Sequence, residues 1–156
     1  MVTINWCKKQ FKGIKKIEPN ENLAKEYIQT AEETLDILKT IEGKSKVWIA
    51  TTKYYCKYFA IYSILMRIGI KCEIHDCTIE ISKFLEQKKI IPNGFSKELE
   101  TDKEIRIDNQ YYLKNREVFL DYNKLVNQIL ELKNICFNLT SQDIKNIRKE
   151  IFGNEE

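Results

Sequence analysis

The sequence predicts an all-α fold, an antiparallel up-and-down bundle of four long helices followed by a short C-terminal helix. Apolar residues recur at helical spacing over most of the chain, and we find no alternating strand pattern and no internal repeat. Only two prolines and five glycines interrupt the 156 residues. The hydrophobic share of 43% is enough for one core, so we expect a single domain over residues 1–156, with residues 1–19 as a basic N-terminal arm.

The first half of the chain predicts three helices. The first runs from about Glu21 to Ile41, and Asn20 before it is a suitable N-cap. The second runs from about Ser45 to Ile68 and is apolar over so much of its circumference that we expect it at the centre of the bundle. The third covers roughly Ile74 to Lys88.

The second half of the chain opens with a turn signal at Pro92-Asn93-Gly94. Residues 92–110 are polar, so we expect a loop there with at most one short helical turn. The fourth long helix is predicted from about Tyr111 to Phe137. Residues 140–143, Thr-Ser-Gln-Asp, resemble a capping box that opens the short final helix.

Composition limits the location and the partners of the protein. No run of eighteen apolar residues and no N-terminal signal segment is present, so we expect a soluble cytoplasmic protein without a membrane partner. Five cysteines, an odd number, then predict reduced thiols. The net charge of +3 gives no case for nucleic-acid binding by the whole surface, although local patches remain possible.

The N-terminal arm is such a local patch. It combines two aromatic residues with five lysines: Trp6, Phe11, Lys8, Lys9, Lys12, Lys15 and Lys16. One interpretation is an arm that is pinned to the bundle by its aromatic side chains and is otherwise solvated. The other is an arm that contacts nucleic acid through lysine and aromatic side chains.

The single histidine, His75, restricts the possible catalytic chemistry. It excludes every site that needs two histidines, and no glycine-rich phosphate loop is present. Cys72, His75 and Cys77 offer three metal ligands, but a structural zinc needs four and no second cysteine pair exists. We therefore expect no metal and no cofactor.

His75 and Arg67 are the candidate catalytic residues. A histidine can move protons at neutral pH, and an arginine can stabilise charge on a phosphodiester, so the two side chains together could cleave RNA. The alternative is that His75 caps the third helix or makes a hydrogen bond across a loop.

Lys53, Tyr54 and Arg106 are the candidate residues for binding RNA or a nucleotide. Aromatic and basic side chains in one place can stack a base and hold a phosphate. Arg106 and the two tyrosines that follow it, Tyr111 and Tyr112, could complete a polar cluster near His75. The alternative is a core aromatic flanked by lysines that reach the solvent, with Arg106 as a loop anchor.

Several short motifs between residues 20 and 139 resemble the HEPN family, the higher eukaryote and prokaryote nucleotide-binding domains. Residues 51–59, TTKYYCKYF, are similar to the signature S-R-x-Y-Y-A-x-F-H. Gly69 to His75 are similar to the step G-I-x-x-x-x-x-H, with four rather than five residues between Ile70 and His75. Residues 106–112 are similar to the element R-x-x-x-D-Y. The family's ribonucleases have four to six residues between Arg and His, whereas seven separate Arg67 from His75.

The resemblance implies a helical homodimer that binds RNA or a nucleotide. It also implies a nucleotidyltransferase partner, in a toxin–antitoxin or defence pair, and, if the protein is an enzyme, a metal-independent ribonuclease. Because the Arg-to-His spacing departs from the family, the main alternative is a non-catalytic interaction module that docks a partner protein. A helical carrier of a small ligand would need a large apolar cavity.

Overall fold

A computed structural model of the chain describes residues 1–154 and confirms a mainly helical fold. Within these residues the elements are, in chain order, α1 (Ile4–Lys9), β1 (Lys15–Lys16), α2 (Glu21–Ile41), α3 (Lys46–Ile68), β2 (Ile70–Lys71), α4 (His75–Gln87), α5 (Phe95–Gln110), α6 (Tyr122–Asn138) and α7 (Ser141–Phe152). The two strands pair antiparallel, with Lys15 opposite Lys71. The up-and-down order of a four-helix bundle stays a prediction.

The helix α3 lies at the centre of the molecule, as its apolar circumference predicts. It packs along α2 and also contacts α5, α6 and α7. Its buried side chains continue around the helix rather than along one stripe, and from Ala60 to Met66 every residue is buried. The helices α2, α5, α6 and α7 can therefore all bury apolar side chains against α3.

The predicted loop at residues 92–110 is wrong, because most of it forms the helix α5. Buried residues recur along α5 at steps of four and three, which is the spacing of one helix face: Phe95, Leu99, Asp102, Arg106 and Asn109. Ser96 is buried beside them, so four of the six buried residues of α5 are polar. A search for apolar periodicity misses such a helix, because its buried face reads as a hydrophilic segment.

The predicted start of the fourth long helix at Tyr111 is also wrong. Helix α6 begins at Tyr122, and residues 112–121 form a connection in which Leu113 and Asn115 have positive φ angles of 50° and 55°. This backbone conformation is incompatible with a continuous α-helix. Phe119, within the predicted helix, lies in this connection and is 80% exposed.

The predicted helix caps are confirmed. The Asn20 side chain accepts a hydrogen bond from the backbone N–H of Leu23, which fixes the start of α2. At the start of α7, Thr140 and Asp143 form a reciprocal capping box. The sequence places these helix starts correctly because each cap depends on a side chain three residues or fewer from its partner.

Gly69 reverses the chain at the end of α3. Its φ angle is 89°, and a Cβ atom here would lie 2.2 Å from Arg148 Nη1 and 2.5 Å from the carbonyl oxygen of Ile17. Only glycine fits both restrictions. After this reversal β2 leads the chain back beside α3, so α4 begins next to the middle of α3 rather than beyond its end.

The expectation of reduced thiols is wrong for two of the five cysteines. Cys7 of α1 and Cys77 of α4 form a disulfide, while Cys56, Cys72 and Cys136 are buried free thiols. A cysteine count does not show which side chains the fold brings together. Disulfides persist mainly in oxidising compartments, and the cytoplasmic location stays a prediction.

The N-terminal arm is attached to the bundle, but not by the two aromatic side chains that were expected to hold it. Trp6 and Phe11 do not pin it, since they are 40% and 89% exposed. Buried Cys7 and Ile14 and the β1–β2 pair hold the arm instead. Within residues 1–154 no helix combines the length and the apolar character needed to cross a membrane.

Candidate functional site

His75 packs on the aromatic face of α3. Its ring stacks on Tyr58 with 4.5 Å between the ring centres and an angle of 13° between the planes. Its Nδ1 atom lies 2.6 Å from the hydroxyl oxygen of Tyr54. Tyr54 and Tyr58 are one helical turn apart, so both face the start of α4, where His75 is the first residue.

The protonation states of Tyr54 and His75 follow from their surroundings. Burial raises the pKa of Tyr54, so its phenol is neutral. Burial, together with the positive charges of Arg106 and Lys103, lowers the pKa of His75, so its imidazole is neutral at pH 7. The Tyr54 hydroxyl then donates to Nδ1, and the proton of the neutral ring is on Nε2.

Arg106 lies over the same tyrosines but has no acidic partner. Its guanidinium carbon is 4.9 Å from the ring centre of Tyr54, 5.4 Å from that of Tyr55 and 6.0 Å from that of Tyr111. Nη1 makes two long hydrogen bonds of 3.4 Å, to the Tyr55 hydroxyl and to Gln110 Oε1. Its Nε is buried without a partner.

The charge of Arg106 therefore faces only aromatic rings and two neutral hydrogen-bond acceptors. The residue is only 7% exposed, and no carboxylate of residues 1–154 pairs with it. Burying a cation is costly unless it is paired, and cation–π contacts of this kind offset only about 1–2 kcal/mol. A bound anion would supply the missing charge.

Lys53 lies near this site, but its charge is neutralised. Its Nζ atom is 3.0 Å from Asp102 Oδ1 and donates to the backbone oxygen of Phe119 at 2.8 Å. Asp102 also binds Lys57. The structure therefore places Lys53 in an ion-pair cluster with Asp102 and Lys57 rather than in an open basic cleft.

Arg67 is not part of the His75 site. It follows Tyr58 by nine residues on the same helix, which is about 13 Å along the helix axis. Its Nη2 donates to the backbone oxygen of Leu139 at the end of α6, where the helix dipole is negative. The chain reversal at Gly69 separates Arg67 from His75.

The cysteines around His75 do not form a metal site with it. Cys77 is bonded to Cys7, and the Cys72 thiol lies 3.4 Å from the backbone oxygen of Ile74. Burial raises the pKa of Cys72, which disfavours the thiolate that a metal binds. Among residues 1–154 no group of three or more histidine, cysteine or acidic side chains is arranged to hold a metal ion.

The structure thus brings together three of the five candidate residues, His75, Tyr54 and Arg106. It adds Tyr58, which was not named as a site residue from the sequence but was recognisable from its spacing of four residues after Tyr54 on a helix. Tyr111, expected in a polar cluster near His75, lies beside Arg106. It does so from the end of α5 rather than from the start of the fourth helix, to which it was assigned.

Comparison of the chain with protein-family models, with curated proteins and with solved structures yields no match. The resemblance to the HEPN family therefore stays a prediction.

Proposed function

We propose that this protein binds a nucleotide, free or within RNA, at the cluster of Arg106, His75 and Tyr54. The observation that carries the proposal is the buried guanidinium of Arg106, which has no carboxylate partner in the described chain. A phosphate group provides the negative charge and the several acceptor oxygens that such a guanidinium lacks. The positive end of α4, which starts at His75 without a side-chain cap, favours the same kind of ligand.

In this proposal His75 donates a hydrogen bond and does not act as a base. Its Nδ1 is occupied by the Tyr54 hydroxyl, so the other nitrogen, Nε2, is the one that a ligand can reach. In the neutral ring Nε2 carries the proton and can donate it to a phosphate oxygen. A general base would need Nε2 without its proton, so this geometry favours binding over cleavage.

Tyr111 is the candidate surface for the nucleobase. It is 65% exposed, and the Arg106 guanidinium lies 6.0 Å from its ring centre. A base stacked on Tyr111 would place its sugar phosphate near Arg106. Stacking on an aromatic side chain tolerates different bases, so we expect weak base preference.

Calorimetric titration with UMP and AMP tests the binding proposal. Arg106→Met keeps the length of the side chain and removes the charge, and we expect it to weaken binding at least tenfold, because charged hydrogen bonds contribute about 1.5–3 kcal/mol. Lys145→Met, at an exposed position of α7, is the charge-matched control and should bind like the wild type. Failure of the wild type to bind either nucleotide, together with no retention of RNA that depends on Arg106, would refute the proposal.

Incubation of wild type and His75→Ala with structured RNAs, without added metal, separates binding from catalysis. We expect RNA to be retained by the wild type without cleavage. Cleavage that disappears in His75→Ala would instead make the protein a metal-independent ribonuclease, with His75 as the proton carrier.

A second candidate function is the docking of another protein, including a second copy of this chain. The connection after α5 exposes four large apolar side chains, Tyr111, Tyr112, Leu113 and Phe119, which are between 65% and 80% exposed. Exposed apolar residues in a group are typical of interaction surfaces. Sedimentation of the wild type and of a Tyr112→Ser/Leu113→Ser variant tests the homodimer, which should dissociate in the variant.

The nucleotidyltransferase partner and the toxin–antitoxin pairing rest on the HEPN resemblance alone, and they stay predictions.

A further inference from the structure

We infer that the N-terminal arm carries a second binding surface, for single-stranded RNA, beside the site proposed above. This arm surface consists of Phe11, Lys12, Lys15 and Lys71, which surround an open hollow of about 250 Å³. The inference deepens the proposed function, on which it rests, because it makes the ligand a strand of several nucleotides rather than a single one.

A tight turn exposes the side chain of Phe11 to the solvent. The side chain is 89% exposed, although large aromatic side chains are normally buried where a fold can cover them. The turn depends on Gly13, because a Cβ atom at this position would lie 1.8 Å from the backbone oxygen of Cys7. Ile14, the residue that follows, is buried, so the turn fixes which side chains point inward and which point out.

The arm surface is attached to the rest of the fold at several points. The disulfide joins Cys7 to Cys77, and the backbone N–H of Glu73 donates to the oxygen of Lys12 at 2.9 Å. The strand pair places Lys15 opposite Lys71. The backbone that carries Phe11 and the lysines is therefore fixed before any ligand binds, which reduces the backbone entropy lost on binding.

The arm surface carries an excess of positive charge. Lys12 and Lys71 share one carboxylate, Glu73, at 3.6 Å and 3.0 Å. Lys15 donates to the backbone oxygen of Lys8 at 3.2 Å, and that contact holds its ammonium group without neutralising its charge. Three lysines against one carboxylate leave a net positive charge on the hollow, which suits the phosphates of a nucleic-acid backbone.

A short segment of chain joins the arm surface to the His75 site. Lys71 and His75 are four residues apart, so their backbones are separated by at most about 13 Å. A nucleotide bound at Arg106 and His75 would fill only one end of this surface. A single strand could place one phosphate there and further phosphates on Lys71 and Lys12.

The combination of side chains favours single-stranded RNA over an acidic peptide. Lysines alone would bind either partner. An exposed aromatic ring between lysines can in addition stack on a base while the lysines bind phosphates, which favours a nucleic acid. In a duplex the bases are stacked on each other and cannot reach Phe11.

The test compares a labelled oligouridylate of about 12 nucleotides, a length within the site sizes of single-strand binders, with UMP. The variants are Phe11→Ser and Lys12→Gln/Lys71→Gln, and the charge-matched control is Lys25→Gln/Lys145→Gln on exposed positions of α2 and α7. We expect Phe11→Ser to weaken oligouridylate binding about tenfold. Lys12→Gln/Lys71→Gln should lower the slope of log Kd against log salt concentration by about 1.4. Neither the Phe11 variant nor the lysine variant should change the affinity for UMP.

Each other outcome decides between the two proposals. Unchanged oligouridylate affinity in both arm variants overturns the inference, while UMP binding that depends on Arg106 would leave the proposed function standing. Oligouridylate binding that depends on the arm, without any UMP binding, supports the inference and refutes the proposed function. Heparin that competes as well as unlabelled oligouridylate, together with unchanged binding by Phe11→Ser, would mean a general polyanion surface and would overturn the assignment to RNA.

Discussion

The two cations buried between α3 and α5, Lys57 and Arg106, have opposite electrostatic surroundings. Lys57 is 3% exposed, and its ammonium lies 2.8 Å from Asp102 and 3.2 Å from Glu98. Arg106 is 7% exposed and faces tyrosine rings and a glutamine amide. Asp102 and Arg106 are one turn apart on α5, so the chain provides acidic partners for one cation and none for its neighbour.

The difference separates a structural cation from a candidate functional one. The charge network around Lys57 is strong enough to overcome burial: burial alone would raise the pKa of Glu98, but hydrogen bonds from Gln128 and the charge of Lys57 lower it to about 2. Arg106 has no such compensation, so its burial costs stability. An uncompensated charge of this kind is typical of a site that binds an oppositely charged ligand.

The largest change in stability is expected for Lys57→Met. The substitution leaves Asp102 buried with only Lys53 as a partner, and breaking a buried ion pair typically costs about 3–5 kcal/mol. Urea unfolding of the variant should show a loss of about 3 kcal/mol, whereas Lys145→Met, at an exposed position of α7, should change by less than about 0.5 kcal/mol. A loss below about 1 kcal/mol would mean that the Lys57 network is not structural.

A smaller loss is expected for Tyr54→Phe. The ring stays in place, but Nδ1 of His75 loses its hydrogen-bond donor, which costs about 1–2 kcal/mol in a buried site. Tyr112→Phe, at an exposed hydroxyl, is the matched control and should not change the free energy of unfolding. Equal values for the two variants would show that the contact between Tyr54 and His75 is not stabilising.

The pH dependence of stability reports on His75. Its pKa is lowered in the folded state, so above about pH 6.5 the ring is neutral in both states and the group makes no contribution. As the pH falls below about 6.5, the unfolded chain binds the proton first and the free energy of unfolding decreases. This part of the slope, measured between about pH 5 and 7, should be absent in His75→Gln. A wild-type stability that rises as the pH falls in this window would contradict the lowered pKa.

The smallest change in stability is expected for Arg106→Met. The variant loses the contacts with the tyrosine rings, which contribute about 1–2 kcal/mol, and gains from no longer burying an unpaired charge. The two effects oppose each other, so the free energy of unfolding should stay within about 1 kcal/mol of the wild type. A loss as large as that of Lys57→Met would show that Arg106 is a structural residue.

The sequence predicted those parts of the fold that depend on apolar spacing or on local caps. The long helices α2 and α3 have apolar faces, and Asn20 and Thr140 act on backbone groups of the following turn. These signals are contained in a few neighbouring residues, which is why they can be read without knowledge of the fold.

The sequence did not predict α5, because four of its six buried residues are polar. Asp102 is buried only because Lys57 and Lys53 from α3 meet it, and Asn109 only because its side chain binds the backbone of Arg116. Such burial depends on partners that are distant along the chain. The disulfide between Cys7 and Cys77, 70 residues apart, was missed for the same reason.

The candidate site was predicted in part. Tyr54, His75 and Arg106 were identified by their chemistry, and the structure brings them together. Arg67 was included because it is near His75 in the sequence, but the reversal at Gly69 places the two side chains against different parts of the molecule. Residues that are close along the chain need not be close in space when a turn separates them, and the sequence does not show the direction of this turn.

Unfolding by urea with and without UMP, for wild type and Arg106→Met, tests most directly whether Arg106 is held for an anionic ligand. A ligand that binds only the folded state stabilises it, by about 1.4 kcal/mol at ten times its Kd. We predict that UMP raises the free energy of unfolding of the wild type and leaves that of Arg106→Met unchanged, while the two proteins are similarly stable without UMP. Equal stabilisation of both proteins by UMP, or none of either, would contradict the assignment of Arg106 to the ligand.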